Sequence, residues 1–407
     1  MNSVSNTNPC SREQTFLIES ATMLHRFGTP SHRLERVMTQ VSRTLGVEGV
    51  FLYTPTALLI SLSDEHGNPQ LTLVRRVDSG PFDVDKLIQF DDLLGRVERS
   101  ETSVEKATVA LHRIAGAKSL YASPTYAVAC AVACASVAVF FGGSWHDVIA
   151  AGAVGLLVTC IELLHQRFHL ETGLLEPIAG MSAAMASLLI ACYFVPIDDR
   201  LVTLAGLIVL IPGLRITVAL TELAVGHLSA GVARLAGAIV SLSTLFIGVA
   251  LVWRLAAGMR QAAAANPLPE YFQWIALVVA PVSFAIVFRA GLKQWPVIAL
   301  VSILGVLTSR LLEPLYGIEV ASFFGSLTVG CVSNLYARIR DRPALIALTP
   351  GMLILVPGAL GYQSLVAVLE KQTVEGMQFA FAMFLIGAAL VGGLLVSNAV
   401  VPPKRIL

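Results

Sequence analysis

Two patterns of hydrophobic and polar positions divide the chain near residue 120. Before that point apolar residues recur at helical or strand spacing among polar ones, whereas after it they form long, nearly continuous runs. Spaced apolar positions are typical of elements that bury one face in a water-soluble domain, and about 20 consecutive apolar residues can cross a bilayer. The pattern therefore predicts a small soluble domain, residues 1–120, followed by a polytopic, mostly α-helical membrane protein.

The N-terminal part has the pattern of a small α+β domain. Helical spacing over residues 13–27 and 31–45 predicts a helical hairpin, in which Thr29 caps the second helix and Pro30 takes its first position. β-rich runs follow at 50–53, 57–62 and 71–77, and further helical patterns at 84–97 and 103–115. Residues 1–25 contain no apolar segment of the kind found in secretory signals, so we expect this domain to be cytoplasmic.

The membrane part contains ten apolar runs, which predict ten transmembrane helices. The runs are 124–141, 147–165, 173–195, 201–220, 228–253, 272–289, 294–312, 318–337, 344–366 and 374–400. With the N-terminal domain inside, the inner loops and tail hold eight Lys and Arg residues and the outer loops hold five. Because basic residues favour the cytoplasmic side, we expect both termini in the cytoplasm.

A repeated motif predicts two related halves. Ile211-Pro212-Gly213 recurs as Val356-Pro357-Gly358, 145 residues later, and seventeen residues separate each motif from a further glycine. We therefore expect two five-helix repeats, residues 121–265 and 266–407. Because five is odd, the second repeat must enter the membrane with the opposite orientation, and such inverted repeats are typical of secondary transporters.

Each Pro-Gly pair predicts a break in its helix near the membrane midplane, since proline lacks a backbone N–H and glycine tolerates unusual dihedral angles. Freed amides at such a break can hold a carboxylate, and a simple packing kink is the alternative. Arg215 or Arg234 could bind a substrate carboxylate with two parallel hydrogen bonds, while Glu222 could balance charge or carry a proton. A structural Arg–Glu pair, or snorkelling of the arginines to the headgroups, is the alternative here.

Neutral polar residues in the second half could form hydrogen bonds with a hydroxyl or ammonium group of a substrate. Hydrogen bonds between helices are the alternative role. The candidate substrate-binding residues are therefore Pro212, Gly213, Arg215, Glu222, Arg234, Asn334, Pro357, Gly358, Gln363 and Ser364.

The amino-acid composition excludes some classes of protein function. Of the 407 residues 55% are hydrophobic and 14% charged, against roughly a quarter charged in soluble domains, which excludes a water-soluble enzyme over most of the length. The net charge of +1, with scattered basic residues, gives no support for nucleic-acid binding. We find no spacing that predicts a metal site, a cofactor site or a nucleophile–base pair, and we expect no enzyme. In the N-terminal domain His25, His32, Asp78 and Asp83 could line a site, but surface or capping roles are favoured.

The chain resembles the threonine/serine exporter family, whose members join a soluble N-terminal domain to ten predicted spans in two halves. The matching segments are residues 28–45, 51–61 and 77–87 and the two Pro-Gly motifs. The resemblance implies an inner-membrane exporter of threonine or serine driven by the proton gradient, and it carries over no set of site residues. Its partners would be the bilayer, the amino acid and protons, and association with further copies of the chain is left open.

Two other functions stay open at this point. Relatives divided into two subunits resemble exporters of small dicarboxylates such as succinate, and an arginine beside a Pro-Gly break could serve either substrate. A passive channel would instead carry the solute without coupling to a proton gradient.

The first testable prediction concerns topology. A cysteine introduced at Asn266, in the loop that joins the two halves, should react with an impermeant thiol reagent added outside the cell. The expectation follows from the odd number of spans in each half and the basic residues of the inner loops. Reaction only from the cytoplasmic side would overturn the proposed orientation.

Overall fold

The computed structural model describes residues 11–63, 69–77, 80–171, 173–256 and 266–403. Its N-terminal unit consists of four helices and three strands. These are α1 (Arg12–Arg26), α2 (Ser31–Thr44), β1 (Glu48–Thr54), β2 (Ala57–Ser63), β3 (Pro69–Arg76), α3 (Val84–Glu98) and α4 (Val104–Gly116). The predicted order of helices and strands is confirmed.

The three strands form an antiparallel sheet in the order β1, β2, β3. Side chains alternate between the two faces of each strand, so that Tyr53 and Ile60 point toward a hydrophobic core. They share this core with Phe16, Leu24 and Phe90, and all five residues are at most 1% exposed. Strand residues one position apart face opposite sides of a sheet, so the neighbouring apolar positions lie outside this core.

The start of α2 corrects one prediction. Thr29 does not cap this helix: the N-cap is Pro30, whose side chain makes no capping hydrogen bond, and the helix begins at Ser31. Since Pro30 offers no side-chain acceptor, the first turn of α2 has to find one elsewhere in the molecule.

Twelve helices make up the rest of the described chain. They are α5 (Ser123–Phe140), α6 (Trp145–Arg167), α7 (Leu175–Tyr193), α8 (Asp199–Gly206), α9 (Gly213–Ala224), α10 (Leu228–Leu255), α11 (Tyr271–Val287), α12 (Trp295–Tyr316), α13 (Ile318–Arg340), α14 (Leu345–Met352), α15 (Gly358–Leu369) and α16 (Thr373–Val400). Seven of the described helices, α5, α6, α7, α10, α12, α13 and α16, are long and apolar enough to cross a membrane, and α11 and α15 are shorter apolar helices. The ten-span topology and the inversion of the halves stay predictions.

The helix lengths recur along the chain. Helices α8 and α14 have 8 residues each, α9 and α15 have 12, and α10 and α16 have 28. The predicted runs 201–220 and 344–366 are each two helices rather than one, with the break at the Pro-Gly motif. The breaks expected from proline and glycine are therefore present at matching places.

Helix packing repeats in atomic detail as well. Helix α7 packs against α10, and α13 packs against α16. A Cβ atom added at Gly248 of α10 would lie 2.2 Å from the carbonyl oxygen of Pro177, and one added at Gly393 of α16 would lie 2.2 Å from that of Phe323. Both helix pairs approach so closely that only glycine fits at the crossing.

We predict that Gly248→Ala and Gly393→Ala each lower the thermal stability of the purified protein in detergent, because the new methyl group overlaps a backbone oxygen. Overpacking of this kind costs about 1–3 kcal/mol. Gly237→Ala, also in α10, is the matched control, since an added Cβ there meets no atom within 4 Å. Equal melting temperatures for Gly248→Ala and Gly237→Ala would contradict the close approach.

Candidate substrate site at two crossing helix breaks

The two Pro-Gly breaks lie against each other. Pro212 and Pro357 are the N-caps of α9 and α15, with nearly the same dihedral angles (φ −79°, ψ 35° and φ −81°, ψ 29°). A Cβ atom added at Gly213 would lie 2.9 Å from Cα of Gly358, and one added at Gly358 would lie 2.9 Å from Cα of Gly213. The contact is reciprocal, as between two-fold-related surfaces, and it leaves no space for a side chain at either glycine.

A cavity of about 260 Å³ adjoins this crossing. Its wall comes from both halves: Phe140 of α5, Phe284 of α11, Arg310 of α12 and the segments around Gly213 and Gly358. Arg310 is the one ionisable residue among those that line it, and its guanidinium carbon lies 5.8 Å from the centre of the Phe140 ring. The wall is thus mostly apolar, and Arg310 is the one charged side chain in it.

Sequence reasoning missed Arg310, which lies close to the end of the predicted run 294–312 and is one of the five basic residues counted for the outer loops. Helix α12 continues to Tyr316, which places Arg310 inside the helix. An arginine within an apolar run was the signal that could have identified it.

Of the other predicted site residues, Arg215 is exposed on α9, and we find no ion pair between it and another described residue. Glu222 lies seven residues later on the same helix, about 10 Å along its axis at the α-helical rise. Glu222 pairs instead with Arg234 of α10, because the chain reverses between the two helices. An Arg–Glu pair of the kind predicted is present, with Arg234 as the partner rather than Arg215.

Glu222 is the centre of a buried cluster and is itself 0% exposed. Arg234 donates from Nε to one carboxylate oxygen (2.9 Å) and from Nη2 to the other (3.1 Å). The backbone N–H of Ser31 donates to Glu222 Oε1 (3.0 Å), and the Ser31 hydroxyl donates to the same atom. Glu222 therefore supplies, across 191 residues, the cap that Pro30 does not give to α2.

This cap is favourable for two reasons. A carboxylate at a helix N-terminus meets the positive end of the helix dipole, and hydrogen bonds to an ionised acceptor are stronger than neutral ones. The N-terminal unit is thereby held to α9 and α10 through a charge that Arg234 also neutralises.

Two histidines, His32 and His227, lie beside this cluster. His227, the N-cap of α10, pairs with Glu35 of α2 (Nδ1 to Oε2, 3.4 Å), and the His32 ring centre lies 6.2 Å from that of His227. Burial, together with the positive charges of Arg33 and its neighbours, lowers the pKa of His32 to about 3. Burial also raises the pKa of Glu35. His32, which is partly buried, is therefore neutral at physiological pH.

The N-terminal unit also contacts the second half. Arg289, which follows α11, donates to Asp83 (3.0 Å), and the N–H of Val84 donates to the carbonyl oxygen of Phe288 (3.0 Å). Asp83 caps α3 by accepting from the N–H of Lys86, so its predicted capping role is confirmed. The unit thus bridges the two halves on one face of the molecule.

Two candidates from the N-terminal part remain. His25 is fully buried, with its ring centre 4.4 Å from that of Tyr53, and Asp78 lies outside the described residues.

The neutral candidates of the second half are spread over several places. Asn334 donates to the Asn398 side chain (3.0 Å) and to the carbonyl oxygen of Val401 (2.8 Å), and Ser364 donates to that of Gly376 (2.7 Å). These are hydrogen bonds between helices, the alternative role given for them. Gln363 lines a second cavity of about 300 Å³, beside the ion pair of Arg200 and Glu370.

We predict that Glu222→Gln lowers stability strongly, since it leaves the partly buried Arg234 without its counterion. Breaking a buried pair costs about 3–5 kcal/mol. Glu101→Gln is the matched control, because Glu101 pairs with Arg99 at the surface, where such pairs contribute about 0–1 kcal/mol. Thermal unfolding in detergent compares the two variants, and equal melting temperatures would refute the buried cluster.

Two family models match the chain. Residues 15–256 match a family described as "Putative threonine/serine exporter", and residues 273–400 match one described as "Threonine/Serine exporter, ThrE". No solved structure matches the chain.

Curated relatives are found among fungi. The pheromone-regulated membrane protein 10 of Kluyveromyces lactis is 25% identical over 87% of this chain and 38% of its own length. An uncharacterized protein of Schizosaccharomyces pombe is 25% identical over 86% and 44%. The chain thus spans less than half the length of either relative. With seven long apolar helices among its described residues it is a multi-pass membrane protein, and it belongs to the threonine/serine exporter family.

Proposed function

We propose that this protein is a secondary transporter that exports threonine or serine across the inner membrane, coupled to the proton gradient. The observation that carries the proposal is the reciprocal contact of Gly213 and Gly358 beside a cavity between the two halves. In secondary transporters the solute binds where interrupted helices of two repeats meet. Family membership supports a transporter of this class.

The cavity suits a small solute. At about 260 Å³ it is below the roughly 300–1,000 Å³ of sites for drug-sized ligands. The N-termini of α9 and α15 begin at its wall, and the first N–H groups of a helix lack intrahelical partners. A carboxylate of a small amino acid can accept hydrogen bonds from such groups.

The proposed orientation puts both termini in the cytoplasm. The N-terminal unit contacts the chain reversal after α9 and the one after α11, and it pairs Asp92 with Arg342 after α13. In the ten-span topology all three lie on the same, cytoplasmic, side. The two halves, residues 121–265 and 266–407, would then alternate access to the site by rocking against each other.

Glu222 is the proposed proton carrier. Protonation would remove the charge that Arg234 and the first turn of α2 share, and so would weaken the hold of the N-terminal unit on α9 and α10. Proton binding and docking of this unit would then be linked, because each changes the other by the same free energy.

Transport of labelled threonine, serine and succinate in proteoliposomes tests this function. Export predicts that threonine or serine flux exceeds succinate flux, rises with an imposed proton gradient and falls when a protonophore collapses it. Glu222→Gln should reduce the gradient-driven component by about tenfold or more if the carboxylate carries the proton. Glu101→Gln, at the exposed pair, should transport like the wild type.

The alternatives give different results in the same assay. A preference for succinate would identify a dicarboxylate exporter, and equal flux with and without the gradient would identify a passive channel. Either outcome would refute the proposed substrate or the proposed coupling.

A further inference from the structure

We propose that Arg310 binds the carboxylate of the transported amino acid inside the cavity at the crossing of the two helix breaks. The inference rests on the proposed function and names the residue that would select its substrate. No other residue lining this cavity is ionisable, so any charged ligand that enters it meets a single fixed cation.

Arg310 differs from several other arginines of the described chain in the groups that surround its charge. Arg234, Arg289 and Arg342 each pair with a carboxylate of the described chain. For Arg310 we find no ion pair within the described residues, and its guanidinium instead lies over the face of Phe140. A charge kept in an apolar wall without a counterion is costly, and in membrane proteins such a residue faces an ion or substrate path. A bound carboxylate would supply the missing counterion.

Two helix N-termini add to the positive potential of the same cavity. Gly213 and Gly358 are the first residues of α9 and α15, both of 12 residues, and both line the wall. Their dipoles carry partial positive charge at this end. Arg310 and the two helix ends therefore favour an anionic group at one place, although they belong to three separate helices.

The other residues of the cavity wall limit which further groups a bound carboxylate compound can have. Ile211, Phe284 and Phe140 are apolar, and the hydroxyl of Ser309 is engaged with the carbonyl oxygen of Ala321 (3.0 Å). One carboxylate can pair with Arg310, whereas a second carboxylate on the same solute would find no other cationic side chain in the wall. The guanidinium can hold a carboxylate with two parallel hydrogen bonds.

Arg215, the arginine first suggested by the sequence, lacks these features. It is exposed on α9 and does not line the cavity. It provides a control that removes the same charge near the same break.

The test measures ligand binding to the purified full chain in detergent by titration calorimetry. The proteins are the wild type, Arg310→Gln, Arg310→Lys and Arg215→Gln, and the ligands are threonine, threoninol, which lacks the carboxylate, and succinate. Thermal unfolding of each variant establishes that it is folded.

Arg310→Gln should weaken threonine binding about 10- to 100-fold, the range for loss of a charged hydrogen-bond partner. Threoninol should bind the wild type weakly and be indifferent to the substitution. Arg310→Lys keeps the charge without the planar fork, so its affinity for threonine should be intermediate. Arg215→Gln should bind threonine within about twofold of the wild type, as expected for an exposed side chain.

Unchanged threonine affinity in folded Arg310→Gln or Arg310→Lys would overturn the assignment and leave the exporter function standing. An equal loss in Arg215→Gln would also overturn it, because net charge rather than a contact in the cavity would then set the affinity. If the wild type binds succinate but not threonine, and Arg310→Gln abolishes this, the proposed substrate is wrong while the carboxylate site at Arg310 holds.

Discussion

The contact between the backbones of Gly213 and Gly358 is the constraint on which the membrane part depends. Any side chain at either position would separate the two halves where they meet, since an added Cβ on one glycine would overlap the backbone of the other. The proline before each glycine is the N-cap of the helix that follows, and the glycine allows the close approach. The break, the crossing and the adjoining cavity are consequences of the same two motifs.

The sequence predicts one part of this arrangement well. Two Pro-Gly motifs 145 residues apart, each followed at the same distance by a further glycine, predict two halves with matching breaks, and the lengths of α9 and α15 agree with that expectation. Local signals sufficed because proline and glycine act on the backbone of their own segment. That the two breaks touch could not be predicted, since contact across 145 residues depends on how the halves pack.

Charged residues were harder to assign for the same reason. Glu222 and Arg215 share a helix and were considered together, yet the partners of Glu222 are Arg234 and Ser31, the second of them 191 residues away. The cap of α2 was assigned to Thr29 because capping is usually local, whereas here it comes from another part of the chain. Arg310 was counted with the outer loops because apolar runs define helix ends only to within several residues, whereas α12 extends beyond it to Tyr316.

The two halves have similar helices but differ in charge at the place where the N-terminal unit contacts the first half. At the offset that relates α9 and α10 to α15 and α16, Glu222 corresponds to Ala367 and Arg234 to Phe379. Both replacements line the cavity of about 300 Å³ beside Arg200 and Glu370, so the place that the buried cluster fills in the first half is open in the second.

The first half therefore holds the N-terminal unit through Glu222, which caps α2 and pairs with Arg234, and Ala367 and Phe379 cannot make the corresponding contact in the second half. The same unit touches the second half through Asp83 and Arg289 and through Leu345, which joins its hydrophobic core. In the proposed rocking motion, a movement of one half against the other would act on both attachments, because packed interfaces switch between discrete arrangements rather than deform continuously. Both attachments contain a buried carboxylate paired with an arginine, Glu222 with Arg234 and Asp83 with Arg289, so each of the two charges helps to hold the N-terminal unit in place.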